Sequence, residues 1–215
     1  MTSVGDGFAW PFKDPAWPGK LLVQGLILII PIIGWIAMTG WLMLLFENAR
    51  SGKTELPPAG FHLERGIGMF GVFLIYALVI DLPAIVLFAI AAAVGGHDHS
   101  FYNPGTPLSS LASLLSTAGM LLFRFLTPAL IVMTYHEGFA GGMDVVRVWR
   151  LATAKVATSI IAGLVILVAG FIGGLGFLCC IGFIFTIPYE NVISAAAAAG
   201  FEKEQGAPAP LPPAA

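Results

Sequence analysis

Polar and apolar positions fall into long blocks, not into the alternation of a half-buried strand or the 3.6-residue rhythm of a surface helix. Four apolar runs stand out: Leu21–Phe46, Gly66–Val94, Leu108–Tyr135 and Val156–Gly200. About 20 apolar residues in helical form cross the hydrocarbon core of a bilayer, so every run predicts membrane helix. Leu21–Phe46 would measure about 39 Å as one helix, longer than a core of about 30 Å. It carries Pro31 and Gly34 near its middle. It is therefore either one kinked, tilted span or two short arms meeting at Pro31–Gly34, and the two arms are the expected form. Val156–Gly200 would measure about 68 Å, which is two spans. Their turn is expected in the cluster Gly170, Gly173, Gly174, Gly176, where the backbone bends at least cost. The fold class is all-α: a polytopic transmembrane helical bundle of five to six membrane segments. Pro31, Pro83, Pro128 and Pro188 kink several of them.

The segments between the runs divide the chain. Residues 1–20 contain Trp10, Phe12, Lys13, Trp17 and Lys20, a mixture suited to the headgroup layer. They are expected to form an interfacial N-terminal segment, followed by a transmembrane domain over 21–200. Residues 201–215 end in Ala-Pro-Ala-Pro-Leu-Pro-Pro-Ala-Ala and read as a disordered tail. Within connector 136–155, Asp144–Leu151 reads as a short interfacial helix.

Composition sharpens this picture. Of 215 residues, 58% are hydrophobic and 10% charged, against about 25% charged in an average soluble domain. Lipid is the solvent that makes such a surface tolerable. A net charge of −2 does not suit nucleic acid as a partner. Basic residues sort by loop: Arg50, Lys53 and Arg65 in connector 47–65; Arg147, Arg150 and Lys155 in connector 136–155; none in loop 95–107. The positive-inside rule places both connectors and the C-terminus in the cytoplasm and loop 95–107 outside. The location is the cell's inner (plasma) membrane, multi-pass. Lys13 and Lys20 favour a cytoplasmic N-terminus. No cleavage site clearly follows the first run, which is expected to stay in the mature protein.

Some residues carry a family likeness. Pro11-Phe12-Lys13-Asp14-Pro15-Ala16-Trp17 precedes Lys20-Leu21-Leu22; Ile30-Pro31-Ile32-Ile33-Gly34, Gly40-Trp41 and Leu56-Pro57 follow. Together they resemble the prokaryotic membrane family called domain of unknown function 4013, best over residues 8–90. The run from Gly173-Gly174 to Pro188-Tyr189 and Ala195–Ala199 is similar to membrane domains attached to glycerophosphodiester phosphodiesterases. The exit Phe201-Glu202-Lys203 departs from that outline in lacking a Tyr. The resemblance implies a hairpin in the first run and brings no catalytic residues with it.

Chemistry-bearing residues are few. Asp81 and Arg124 sit inside apolar runs, about 21 Å and about 16 Å from the cytoplasmic ends of their helices. Charges at such depth face a bundle interior or a wet cavity, often in pairs, so these two are expected to pair. Tyr189, Glu190 and Asn191 follow Pro188, whose ring frees a carbonyl for local polar partners. His97, Asp98 and His99 offer too few ligands for a metal site. His136 and Glu137 read as ordinary helix-end residues. The adjacent Cys179 and Cys180 read as small apolar side chains, not a disulfide. No nucleophile–base set, metal site or cofactor motif is recognised. The expected function is a non-enzymatic bundle that acts in the lipid bilayer through a membrane-protein partner, a homo-oligomer or membrane organisation. The alternative is a small transporter or channel subunit with Asp81, Arg124 and Glu190 along a polar path.

Overall fold

The computed structural model describes residues 4–95, 105–179 and 181–206. All regular structure among them is helical: α1 Val4–Ala9, α2 Trp17–Leu28, α3 Ile33–Arg50, α4 Leu63–Gly95, α5 Gly105–Met143, α6 Val145–Ala154, α7 Val156–Leu175 and α8 Phe183–Gln205. Three helices are long and apolar enough to cross a membrane: α4, α5 and α7 with the turn that extends it. The chain forms two compact units, Met1–Val72 with Arg124–Ala215, and Phe73–Phe123.

In the first unit the leading apolar run is two helices. Pro31 has no N–H to continue α2. The chain instead reverses through Ile32, at φ 64 and ψ −59, with the Ile33 N–H donating to the Pro31 carbonyl at 2.6 Å. This is a γ-turn of the strained, positive-φ kind. Gly34 lets the new helix begin against the old one, since a Cβ there would lie 2.4 Å from the Ile27 carbonyl oxygen.

The connector after α3 runs back along this hairpin. Asp14 holds it: Oδ2 accepts from the Leu56 N–H (2.9 Å) and Lys20 Nζ (2.7 Å), and Oδ1 from the Ala16 N–H (2.8 Å). Burial pushes the Asp14 carboxyl up, but the Lys20 ammonium and the two backbone N–H groups outweigh it and hold the group below its ordinary range. Lys20 also donates to the Leu56 carbonyl and Gln24 accepts from the Gly60 N–H. Trp10, expected in the headgroup layer, is fully buried and donates to the Thr54 carbonyl at 3.0 Å. Phe12 beside it stays exposed.

α8 packs against α1, α2, α3 and α7. Gly25 brings α2 onto it so closely that a Cβ would fall 1.8 Å from the Ile184 carbonyl oxygen. The helix runs on to Gln205, past the boundary expected after Gly200, and buries Phe201 and Glu202. The glycine cluster meets expectation only at its last member, Gly176. α7 continues through Gly170, Gly173 and Gly174, and the reversal comes later, in a 3-10 turn over Gly176–Cys179 and the residues before Phe183. Those three glycines lie within α7, and Gly170 and Gly173 make room for neighbouring side chains. α6 forms where an interfacial helix was expected, capped by Asp144 Oδ1 on the Arg147 N–H, with Val145, Val146 and Trp149 exposed.

In the second unit the segments of α4 and α5 that it contains pair antiparallel. The Phe73 and Phe123 rings meet edge to face at 5.6 Å, and Gly119 sits against Ile80 and Asp81. The hydroxyls of Ser109, Ser113 and Thr117 donate to carbonyls of their own helix, so none needs water.

Candidate functional site

Arg124 of α5 and Glu190 of α8 form an ion pair, Nη1 to Oε1 at 3.1 Å, with the side chains 27% and 19% exposed. The space for it comes from α7. A Cβ on Gly170 would lie 2.5 Å from Arg124 Nη2 and 3.2 Å from Glu190 Oε1, and one on Gly173 would lie 2.3 Å from Glu190 Oε2. Gly170 and Gly173 are one turn apart on the same helix face. Thr186 closes the floor by donating to the Gly173 carbonyl at 2.9 Å. The arrangement joins three helices through one pair of opposite charges.

The sequence candidates separate here. Successive helical residues point about 100° apart, and the neighbours of Glu190 accordingly leave the pair. Tyr189 donates to the Phe8 carbonyl at 3.0 Å, and Asn191 to the Ile187 carbonyl at 3.0 Å, one turn back across Pro188. Arg124, for which Asp81 was the expected partner, has its carboxylate in Glu190. Asp81 belongs to the second unit, where it is half-buried against Gly119. Its Oδ1 is sealed from solvent with no hydrogen-bond partner among the described residues.

Two charged clusters at the ends of α3, α5 and α8 escaped the sequence reading. Glu202 is 3% exposed, accepts from His136 Nε2 at 2.6 Å and forms an ion pair with Arg50, Nε to Oε2 at 2.8 Å. Arg50 in turn lies 5.8 Å over the Tyr135 ring. Glu137 takes Arg147 in a fork of 2.6 and 2.5 Å. That contact raises the guanidinium above its ordinary value against the opposing effect of burial. The signal was available: an acid inside the last helical turns and basic residues at two other helix ends. Lys155 also reaches the Glu204 carbonyl. Both basic connectors and the end of α8 thus share one end of the first unit.

Among the described residues no three His, Cys, Asp or Glu side chains gather as a metal site. His97, Asp98, His99 and Cys180 lie outside the described residues.

The chain matches the family described as "Protein of unknown function (DUF4013)" over residues 23–187. No curated protein and no solved structure matches it, so the wider likeness to phosphodiesterase-attached membrane domains is not shown.

Proposed function

The chain belongs to the DUF4013 family of proteins of unknown function, and within it we propose a non-catalytic helical membrane protein that acts by docking a membrane-protein partner. One observation carries this reading: Asp81, the one charged side chain among the described residues of the second unit, has a buried oxygen with no hydrogen-bond partner among them. An ionised group at the centre of a membrane helix costs about 2.5–3.5 kcal/mol by insertion scales. A partner helix that brings a hydrogen-bond donor to the exposed side of this half-buried carboxylate offsets that cost. α5 also carries Ser109, Ser113 and Thr117 at four-residue spacing, a small-residue line of the kind on which membrane helices approach closely. Arg124, Glu190 and Glu202 are instead engaged with partners inside the first unit.

The α2–α3 hairpin and α8 join α4, α5 and α7 in a bundle of five to six membrane segments in the inner membrane. The shared end of the two basic connectors supports a cytoplasmic placement for both, and for the C-terminus beside them. The experiment is purification in mild detergent with mass-spectrometric identification of what is retained. A membrane protein held by wild type and lost from Asp81→Asn, but kept by Lys13→Ala, supports the reading. Identical retention by the Asp81 variant, or solute flux in proteoliposomes that needs Asp81, contradicts it.

A further inference from the structure

A cavity of about 460 Å³ opens between the end of α3 and the last turns of α8, in the first unit. Two of its wall residues, Gly52 and Gly200, give it depth: a Cβ built on either meets nothing within 4 Å. Its charged residues are Arg50, Glu202 and Lys203. Glu202 is spoken for, because its side chain is 4% exposed and its two oxygens are held by Arg50 and His136. Arg50 approaches Glu202 through Nε and keeps 40% of its side chain exposed. The terminal nitrogens of a guanidinium carry four of its five N–H donors, so donor capacity remains on the open side. Lys203 is exposed and has no ion-pair partner among the described residues. Glu204, next along the helix, turns its carboxylate to Thr158 at 2.9 Å. The cavity therefore presents two cations, with its single acid already engaged.

We propose that this cavity binds a phosphate group, as a phosphomonoester or phosphodiester, carried either by an anionic lipid headgroup or by a soluble compound. Guanidinium recognises phosphate oxygens through paired N–H donors. Here Glu202 and the Tyr135 ring already hold the guanidinium in place, so little side-chain freedom is lost on binding. The position, at the end of the membrane bundle beside the basic connectors, is where a headgroup of the same leaflet lies.

The test uses full-length protein in a neutral detergent, titrated separately with short-chain phosphatidylglycerol, phosphatidylcholine of equal chain length, and inorganic phosphate. Phosphatidylglycerol is expected to bind at least about fivefold more tightly than phosphatidylcholine, the factor that one added cation gives at an anionic headgroup. Lys203→Ala is expected to weaken it by about the same factor. Gly200→Glu, which places a carboxylate in the open space, is expected to abolish it. Competition by inorganic phosphate identifies a soluble ligand, and its failure to compete identifies the headgroup; either supports the site. Arg50→Gln removes a partner of buried Glu202 and is open to misfolding, so the two other variants carry the test. Equal binding of both lipids, unchanged binding in Lys203→Ala and Gly200→Glu, or an equal loss in the remote Lys13→Ala overturns the proposal.

Discussion

Replacing Gly173 by alanine adds one methyl group where the structure leaves no room for it. The new Cβ would lie 2.3 Å from Glu190 Oε2 and 3.2 Å from its Cδ, so the carboxylate must shift, which perturbs its pairing with Arg124. Removing one partner of a fully buried ion pair costs about 3–5 kcal/mol. That figure is an upper bound here, because the side chains retain 27% and 19% exposure and Glu190 is displaced, not deleted. Overpacking typically costs about 1–3 kcal/mol, and alanine returns about 0.5–1 kcal/mol of helix propensity. The net expectation is a loss of up to about 2.5 kcal/mol. Gly174 supplies the internal control: it is the next residue of the same helix, and a Cβ there meets nothing within 4 Å. Gly174→Ala should be neutral or stabilising, so the two midpoints differ by the overpacking cost alone, roughly 2–12 °C at about 2–4 °C per kcal/mol. Thermal unfolding in mild detergent measures it. The Gly173→Ala penalty should shrink sharply in a Glu190→Ala background, giving a coupling of about 1 kcal/mol or more. Equal midpoints for the two alanine variants, or a penalty unchanged by Glu190→Ala, would refute the argument that α7 makes room for the pair.

Three further outcomes follow from the same geometry. Ile32→Gly should raise the unfolding midpoint, because a β-branched residue at φ 64 holds strain of about 1–3 kcal/mol; a lower midpoint would show that the turn is unstrained. The depressed Asp14 carboxyl stabilises the fold above its unfolded value and loses that contribution as pH falls through its lower folded value. The stability gap between wild type and Asp14→Asn should therefore be widest near neutral pH and close in acid; a gap independent of pH would count against the anchor. Arg124→Leu and Glu190→Leu should each destabilise, while the double variant recovers most of the loss, since apolar replacement of a whole buried pair is often neutral; purely additive losses would argue that the two residues act apart.

The apolar runs were legible because a membrane helix imposes its length and composition on the sequence. The break at Ile32 was legible because proline removes a donor and glycine permits the close restart. The role of Gly170 and Gly173 was not, since the same residue serves a bend or a close approach and only the neighbours decide which. The partner of Arg124 was hidden for a related reason. Depth along a helix can be counted from sequence, but Asp81 and Glu190 both lie within apolar runs, and the lateral order of helices is not written in either run. Glu202, Arg50 and His136 lie at the ends of three different helices. Each looks like an ordinary solvated terminus until α3, α5 and α8 finish together. The anchoring of the 51–62 connector by Asp14 was obscured likewise, because the residue sits in a segment that read as a headgroup-layer docking strip.

The docking role assigned to Asp81 is tested most directly by placing a photo-crosslinking amino acid at Leu82, which is 56% exposed next to Asp81, in living cells. One discrete protein adduct is expected, with a yield that falls sharply when Asp81 is also changed to Asn. The same probe at Leu164 of α7, 53% exposed, should give a pattern indifferent to Asp81. No protein adduct at Leu82, or an adduct whose yield is the same with and without the carboxylate, would contradict it.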